Sequence, residues 1–360
     1  MEGPFSLLSG HEQVVYGNDP ESGLRCIIAI YSTALGPALG GTRFYDYASE
    51  EDALIDVLRL SEGMAYKASC AGLDLGGGKA VILGDPDTAK SEVLLRAYGR
   101  LVQSLGGRYI TACDVGTYTA DMNIVRRETR WAAGADVVEG GSGDSGVMTA
   151  YGTYIGIKAC AERVWGTTDL AGRHVAIQGV GKVGRRLAEH LAGEGAKISI
   201  ADVDDHALSW CVEHTGAEVV PDDEIYAVDA DVFSPNAMGA VINDRTIGQL
   251  SCKVVAGAAN NQLAEDRHGD ALAQAGVLYA PDYVINAGGL IQVADELHPD
   301  GHSVERTRAR VERIGERLHE IFELSDELAV PTAEAADRVA ERRMGRVGRL
   351  RGFWLPSGQR

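Results

Sequence analysis

The sequence predicts an α/β protein built from two domains, and three observations support this fold class. The chain has 360 residues, which is more than one ordinary hydrophobic core accommodates. Beyond residue 172, short β-branched runs alternate with helical segments, as in a parallel sheet covered by helices. The glycine-rich segment VVEGGSGDSG, residues 137–146, precedes this region and is a candidate hinge.

Composition limits the class of protein. Hydrophobic residues make up 45% and charged residues 24% of the chain, as in a typical globular protein. The net charge of −18 argues against nucleic acid and acidic membranes as partners. The chain has no apolar run of about 18 residues and no signal-peptide pattern, so we expect a cytoplasmic protein. The six cysteines lack paired spacing, which predicts neither a disulfide framework nor a metal site.

The first third mixes strands with helices. GLRCIIAIYS and KAVILG have the apolar, β-branched character of buried strands. Residues 49–67 predict a helix ending near Met64 to Lys67, because Ser49 and Asp52 form a capping box and apolar residues recur at helical spacing. SEVLLRAYGRLVQSLGG predicts another helix, and RYITACDVGT predicts a strand followed by a loop.

A dinucleotide-binding motif follows the hinge. HVAIQGVGKVG contains a G-x-G-x-x-G pattern at Gly179, Gly181 and Gly184, between a strand and an amphipathic helix. These glycines respectively allow a tight turn, a close approach to a pyrophosphate, and close packing of helix on strand. At the end of the next strand, the Asp202 carboxylate can bond a ribose 2′-hydroxyl and would repel a 2′-phosphate. We therefore expect a Rossmann-type domain that binds NAD; the alternative is a strand–turn–helix without a ligand.

Three charged residues of the first third are candidates for chemistry. Lys79 follows three glycines, but Ala80 and a strand come after it, which excludes a P-loop. Its glycine and apolar neighbours predict partial desolvation, which lowers the pKa of a lysine and makes a general base available. Asp114 could then hold or relay a proton, and Lys67 could bind a substrate carboxylate. The alternative for each is a surface or paired charge without a catalytic role.

Glycines and asparagines mark further candidate ligand contacts. Gly40 and Gly41 lie in GPALGGTRFY, which predicts a loop whose backbone can touch a small ligand. Asn260 and Asn286 are each predicted to end a strand of the second sheet, where ligands gather in open α/β folds. Plain turns and capping asparagines are the alternatives.

Together these motifs resemble the glutamate/leucine/phenylalanine/valine dehydrogenase family over about residues 11–345. The resemblance lies in GPALGGTR, GLDLGGGKAVI, TACDVGT, QGVGKVG, VVAGAANNQL and YAPDYVINAGG. Within the family, the chain is most similar to the valine dehydrogenases of actinomycete type. The resemblance implies reversible, NAD-dependent oxidative deamination of branched-chain L-amino acids, valine preferred, to the 2-oxo acid, ammonia and NADH. Leucine or phenylalanine dehydrogenase activity is the alternative, and a non-catalytic NAD-binding module is a remote one.

The resemblance also assigns roles to residues. It implies that Lys79 activates water, Asp114 relays protons, and Lys67 binds the substrate carboxylate. The other substrate-binding positions it implies are Leu39, Gly40, Gly41, Met64, Ala112, Asn260, Leu290 and Val293. The cofactor-binding positions it implies are Ser145, Thr149, Gly179, Val180, Gly181, Lys182, Val183, Gly184, Asp202, Ala237, Ala258, Asn260 and Asn286.

The residues at the positions that match the substrate pocket of the family indicate which amino acid is preferred. Leu39 and Val293 stand where glutamate-specific members carry a lysine and a serine, so a second substrate carboxylate would be buried unpaired, at a cost of several kcal/mol. Leu290 stands where leucine-specific relatives usually have valine. Its extra methylene shortens the pocket and favours a smaller substrate by about 1–3 kcal/mol.

The predicted domains follow the same likeness. Residues 1–143 should bind the substrate and mediate oligomerisation, and residues 144–322 should form the NAD-binding domain, with a deep cleft between them. Residues 323–360 should form helices that pack back on the first domain and end in a basic tail. We expect an amino acid or 2-oxo acid and ammonia as ligands, and a homo-oligomer as the assembly.

Overall fold

The chain divides into two α/β units in a computed structural model that describes residues 4–349. The first unit runs to Gly143 and also contains Val293–Ser303 and the chain from Ala340 onward. The second unit consists of Asp144–Gln292 and Val304–Val339. The two-domain α/β prediction is therefore confirmed.

The bounds of these units differ from the predicted domain ranges. Residues 293–303 belong to the first unit, and the second unit extends to residue 339 rather than 322. Of the described residues, 340–349 belong to the first unit, where Ser69 Oγ donates to Ala340 O at 2.9 Å. The predicted basic tail comprises residues 342–360; residues 342–348 are helical, and the part beyond residue 349 lies outside the described residues.

A five-stranded mixed sheet forms the centre of the first unit. Its strands are β1 (Gln13–Asp19), β2 (Leu24–Ser32), β3 (Ala38–Tyr45), β4 (Gly76–Leu83) and β5 (Tyr109–Cys113). Its helices are α1 (Glu50–Cys70), α2 (Pro86–Ala89), α3 (Glu92–Ser104) and α4 (Thr119–Val125). The strand order is β1-β2-β4-β3-β5; β2 is antiparallel to both its neighbours, and the β4–β3 and β3–β5 pairs are parallel.

The two faces of this sheet bury different cores. On one face, Phe44 and Ile82 pack with Tyr98 of α3. On the other face, Val81 packs with Val57 and Leu58 of α1. Because side chains alternate along a strand, each residue of β3 and β4 is assigned to one of these faces.

Strand β3 replaces the loop predicted for residues 36–45. It pairs with β4 on one side and β5 on the other, with Thr42 beside Ala80 and Cys113. Gly40 and Gly41 are therefore strand residues. A Cβ at Gly40 would stand 1.6 Å from Gly78 O, so the space at this glycine is taken by the neighbouring strand.

Helix α1 begins as predicted and continues beyond the predicted end. The Ser49 side chain accepts from Asp52 N at the N-terminus, which is the expected cap. The helix runs on to Cys70 because Ala68, Ser69 and Cys70 are buried and extend its packed face.

The three glycines before Lys79 belong to β4 and serve the packing of the fold. At Gly77, an added Cβ would lie 2.2 Å from Ala65 N and 2.4 Å from Ala65 Cβ. Helix α1 therefore rests directly on the strand backbone at this point. An added Cβ would lie 2.0 Å from Ser32 O at Gly76 and 2.8 Å from the Tyr109 ring at Gly78, so the space beside all three glycines is filled by the fold itself.

A six-stranded parallel sheet forms the centre of the second unit. Its strands are β6 (His174–Gln178), β7 (Lys197–Ala201), β8 (Glu218–Val219), β9 (Val232–Pro235), β10 (Val254–Val255) and β11 (Leu278–Tyr279). The order is β11-β10-β9-β6-β7-β8, and every pair is parallel. The first strand in the chain is central, which is the doubly wound Rossmann arrangement.

Helices complete the second unit and lead back to the first. They are α5 (Gly146–Trp165), α6 (Gly184–Gly193), α7 (Asp205–Thr215), α8 (Arg267–Gln274), α9 (Asp282–Ile285), α10 (Gly288–Asp295), α11 (Val304–Leu328) and α12 (Thr332–Gly348). The chain passes between the units after residue 143, within α10 after residue 292, after residue 303, and within α12 after residue 339. Within residues 4–349, none of these helices has the length and apolar character needed to cross a bilayer.

Replacing Gly77 with alanine is expected to destabilise the protein, because the new methyl overlaps the α1 backbone at Ala65. Overpacking of this kind costs about 1–3 kcal/mol. The matched control is Gly63→Ala on α1, where an added Cβ meets none of the described atoms within 4 Å. That change should be neutral or stabilising by up to about 1 kcal/mol. Thermal unfolding midpoints test this, and equal midpoints for the two variants would contradict it.

Candidate active site

The predicted charged residues lie on the α1 face of the first sheet. Lys79 precedes Val81 by two positions on β4, so both side chains project from the face that α1 covers. On β3, Phe44 belongs to the opposite core, so Arg43 projects towards the α1 face. Asp114 follows the last residue of β5 directly. The parallel alignment of β3, β4 and β5 thus brings residues distant in sequence to one region.

Lys79 and Asp114 form a buried ion pair. Lys79 Nζ lies 2.7 Å from Asp114 Oδ2, and Lys79 is only 6% exposed. The lysine is buried, as its glycine and apolar neighbours predicted. The sequence did not indicate that its ammonium would be paired directly with Asp114.

Arg43 is the second cation on Asp114. Its Nε donates to Asp114 Oδ2 at 3.2 Å, and its Nη1 donates to Asp56 Oδ2 at 2.8 Å. Tyr47 also donates its hydroxyl to Asp56 Oδ2, at 2.7 Å. Neither Arg43 nor Asp56 was predicted from the sequence to belong to the site. One signal in the sequence could have indicated Arg43. It is spaced two residues from Gly41 and four from Leu39, so in a strand it projects from the same face as these predicted site residues.

These charges fix the protonation of Asp114. Burial acts to raise the pKa of its carboxyl group, but the positive charges of Lys79 and Arg43 outweigh burial and hold that pKa below its usual value. Asp114 is therefore a carboxylate at neutral pH, able to accept a proton.

The loop after β5 holds Asp114 in place. Asp114 N donates to Thr117 Oγ1 at 2.9 Å, and Thr117 Oγ1 donates to Thr42 O at 2.7 Å. A Cβ at Gly41 would lie 2.8 Å from Asp114 Cβ and 2.4 Å from Cys113 O. Gly41 thus lets the loop that carries Asp114 close over β3.

Helix α1 carries the other predicted cation, Lys67, together with Met64. Both side chains are half-buried. Ala65, between them, packs on Gly77, which is two residues from Lys79 on the same face of β4. The helix segment that bears Lys67 is thus anchored on the strand that bears Lys79.

The predicted apolar pocket residues lie on strands and on α10. Leu39 on β3 is 1% exposed and Ala112 on β5 is 7% exposed. Leu290 and Val293 are half-buried on α10, with Leu290 in the second unit and Val293 in the first. The four side chains are apolar, so none of them offers a partner to a second carboxylate.

The glycine turn of the second unit has the geometry of a dinucleotide cradle. Gly179 has φ of +90°, which its turn requires. A Cβ at Gly184 would lie 1.9 Å from Gly179 O, whereas a Cβ at Gly181 would meet none of the described atoms within 4 Å. The first and third glycines thus shape the turn, and the second leaves its outer side accessible. Lys182 is also exposed, whereas Val180 is fully buried and Val183, the residue before α6, is half-buried.

Asp202 is tied to this turn. Its Oδ2 accepts from Val180 N at 2.7 Å, and its Oδ1 accepts from Asp204 N at 3.0 Å. The carboxylate therefore stands at the carboxyl end of β7, beside the glycine turn that ends β6. It keeps further lone pairs for a ligand hydroxyl.

Asparagines cluster at the carboxyl edge of the same sheet. Asn286 Nδ2 donates to Ala258 O at 3.1 Å and to Asn260 Oδ1 at 2.7 Å, while Ala258 N donates to Asn236 Oδ1 at 3.0 Å. Asn236, which the sequence analysis missed, thus holds the loop of Ala258 beside Ala237. Asn286 was predicted to end a strand, but it follows the short helix α9, because β11 ends at Tyr279.

The side-chain oxygen of Asn286 can accept a hydrogen bond that none of the described residues donates. The residue is 4% exposed, and its buried Oδ1 has no hydrogen-bond partner among the described atoms. A buried acceptor of this kind is costly to leave unmet, so the site suits a ligand that brings an N–H or O–H donor.

Ser145 and Thr149 lie at the start of α5. Both are half-buried, and Thr149 Oγ1 donates to Ser145 O at 3.0 Å. A Cβ at Gly289 would lie 2.6 Å from Thr149 Oγ1, so α10 packs closely on this end of α5 within the second unit.

One carboxylate–histidine group could geometrically hold a metal ion. It consists of Asp244, Glu265 and His268, among the described residues. Arg267 already pairs with both carboxylates, at 2.6 Å to Asp244 and 2.9 Å to Glu265. His268 Nδ1 accepts from Glu265 N at 3.0 Å. The group is thus built as an ion-pair network, and it includes none of the predicted site residues.

Comparisons with known proteins cover nearly the whole chain. A family model described as "Glu/Leu/Phe/Val dehydrogenase, dimerisation domain" matches residues 11–131. A second, described as "Glutamate/Leucine/Phenylalanine/Valine dehydrogenase", matches residues 140–207 and 199–344.

Individual relatives are similar over comparable lengths. A valine dehydrogenase of Streptomyces coelicolor is 54% identical over 338 residues, which are 93% of this chain and 92% of that protein. A leucine dehydrogenase of Bacillus cereus is 51% identical over 348 residues, 97% of this chain and 94% of that protein. The crystal structure of L-tryptophan dehydrogenase from Nostoc punctiforme has a TM-score of 0.83 at 42% identity, covering 94% of this chain and 97% of that one.

The stability that Asp114 provides should depend on pH. Its pKa is lower in the folded protein than in the unfolded chain, so its stabilising contribution is complete above the unfolded value of about 3.9 and is lost as the pH falls through the folded value. The difference in thermal midpoint between the wild type and Asp114→Asn should therefore be constant from neutral pH to about pH 5 and shrink below about pH 4.

Asp46→Asn is the control for this measurement, since it removes one exposed carboxylate of the same unit. A difference between wild type and Asp114→Asn that stays constant down to about pH 3 would contradict the assignment of a lowered pKa to Asp114.

Proposed function

Because the chain belongs to the glutamate/leucine/phenylalanine/valine dehydrogenase family, we propose that it catalyses the reversible NAD-dependent oxidative deamination of branched-chain L-amino acids, with valine preferred. The products are the 2-oxo acid, ammonia and NADH. The observation that carries this proposal is the buried pair of Lys79 and Asp114, 2.7 Å apart on the α1 face of the first sheet.

Lys79 and Asp114 supply the proton transfers of this reaction. When bound, NAD⁺ accepts a hydride from the substrate α-carbon. Lys79, in its neutral form, takes a proton from the water that attacks the resulting substrate imine. Asp114 exchanges protons with Lys79 across their hydrogen bond and with the departing amine. The positive charge of Arg43 favours the carboxylate form of Asp114, and in this form Asp114 can accept a proton.

Lys67 binds the substrate carboxylate in this proposal. Its position on α1 is supported by the contact of Ala65 with Gly77, which holds this part of the helix on the strand of Lys79. Lys67 remains charged, while Lys79 changes its protonation during the reaction. The two lysines thus have different tasks, one in binding and one in chemistry.

The residues of the second unit fit NAD. The outer side of the Gly181 turn and the N-terminus of α6 suit a pyrophosphate. Asp202 suits a ribose hydroxyl and disfavours a 2′-phosphate, which supports NAD over NADP. Asn286 Oδ1, buried without a partner among the described residues, suits an amide donor of the cofactor.

Apolar residues support a branched-chain substrate. Leu39 and Ala112 are buried and carry no charge for a second carboxylate, which argues against glutamate. Leu290 supports valine through its extra methylene, by about 1–3 kcal/mol. Leucine dehydrogenase activity is the second candidate, favoured by the leucine dehydrogenase of Bacillus cereus that is 51% identical to this chain.

The assembly and location follow from the same proposal. We expect a homo-oligomer with contacts in residues 11–131, which match a model described as a dimerisation domain. We expect the protein to act in the cytoplasm, where NAD and amino acids are both present. Light scattering on the purified protein measures the assembly.

The decisive test is NADH formation with a panel of L-amino acids, measured in parallel with NAD and NADP. We expect kcat/KM to be highest with valine, lower with leucine and isoleucine, and lowest with phenylalanine and glutamate. We expect at least about a tenfold preference for NAD, which corresponds to about 1.4 kcal/mol. Absence of turnover with all three branched-chain amino acids would refute the proposed activity.

Leu290→Val is the variant that separates the valine and leucine proposals. If Leu290 shortens the pocket, the kcat/KM ratio of leucine to valine should rise by about tenfold or more. An unchanged ratio would mean that Leu290 does not set the preference.

Lys79→Ala should lower kcat by about 10²- to 10⁴-fold, because the proposed general base is removed. Binding of NADH, measured by fluorescence, should be unchanged. Lys90→Ala is the matched control, since Lys90 also forms a part-buried ion pair in the first unit, 2.8 Å from Asp121. If Lys79→Ala retains the kcat of Lys90→Ala, the role assigned to Lys79 is wrong.

A further inference from the structure

Glu296 accepts three hydrogen bonds from a loop of the first unit. Its Oε1 accepts from Ser142 N at 2.8 Å and from Ser142 Oγ at 2.5 Å, and its Oε2 accepts from Gly134 N at 2.8 Å. Each carboxylate oxygen therefore has a backbone N–H partner. An amide side chain of the same size offers only one acceptor oxygen, so the arrangement is specific for a carboxylate.

The loop end of this network lies against strand β5. Cys113 Sγ donates to Gly134 O at 3.4 Å. A Cβ at Gly134 would lie 3.4 Å from Cys113 N and 3.9 Å from Ala112 Cβ. Gly134 therefore stands beside the strand end that carries Ala112 and leads into Asp114.

The other end of the network is the last turn of α10. Glu296 N donates to Val293 O at 3.2 Å, so Glu296 follows Val293 by one turn. Asp295, which is fully buried, closes the same segment by accepting from Ser303 N at 2.8 Å. The position of Val293 relative to Ala112 thus depends on the bonds that Glu296 makes to Gly134 and Ser142.

We propose that Glu296 is a positioning residue that holds Val293 against the apolar pocket of Leu39 and Ala112 and thereby sets the affinity for the amino acid. The inference rests on the proposed function, because it concerns the pocket of that site. Glu296 acts through α10 and the loop, and it takes no part in the proton transfers of Lys79 and Asp114. Its loss should therefore change KM much more than kcat.

The test compares Glu296→Gln, Ser142→Ala and Asp300→Asn in the full-length protein. Glu296→Gln turns a donor towards one backbone N–H and should raise KM for valine about tenfold, while kcat changes less than about threefold. Ser142→Ala removes only the hydroxyl bond and should raise KM by about two- to threefold. Asp300→Asn is the control, since it removes one charge from the same segment at a side chain that is 85% exposed.

Hydrogen exchange of the three variants gives a readout that does not need turnover. Residues 131–143 and 293–303 should exchange faster in Glu296→Gln than in Asp300→Asn, and other segments should match. If the wild type shows no turnover with any amino acid, the proposed function fails. The comparison of hydrogen exchange between Glu296→Gln and Asp300→Asn then tests the role of Glu296 by itself. Equal exchange, or an unchanged KM, would overturn the positioning role. If Glu296→Gln does not fold, the rise in KM of about two- to threefold expected for Ser142→Ala tests the positioning role instead.

Discussion

The burial of the Lys79 ammonium is the constraint around which the first unit is organised. An ammonium removed from water is costly unless a carboxylate and hydrogen bonds compensate it, and here Asp114 lies 2.7 Å from Nζ. That carboxylate is held in turn by Arg43 and by the Thr117 loop. Removing the Asp114 carboxylate would leave the Lys79 ammonium buried without this partner, whereas Asp114 without Lys79 would still have Arg43.

Glycines make this arrangement sterically possible. Gly77 lets α1 rest on β4, and Gly41 lets the Asp114 loop close over β3, since a side chain at either position would overlap its neighbour. The helix and the loop can then approach the sheet near Lys79. Packing within the protein thus accounts for Gly77 and Gly41, whereas Gly181 in the glycine turn of the second unit has open space on its outer side.

The two units differ in how their candidate site residues are distributed along the sequence. In the second unit the glycine turn follows β6 and Asp202 follows β7, which are consecutive strands of one parallel sheet, and the carboxyl edge of such a sheet is a common ligand site. In the first unit the charges come from β3, β4, β5 and α1, and they meet only because the mixed sheet orders these strands β4-β3-β5. The Glu296 network adds α10 to this set and joins it to the end of β5.

Local sequence determined the elements whose signals are local. The capping box at Ser49, the β-branched run of β6 and the glycine pattern at Gly179 depend on neighbouring residues, and each was predicted correctly. The strand β3, the extension of α1 to Cys70 and the pairing of Arg43 with Asp114 depend on residues far apart in the chain. A strand that contains several glycines shows little of the apolar and polar alternation by which strands are predicted. Pairing with β4 and β5 therefore decided that residues 38–45 form a strand.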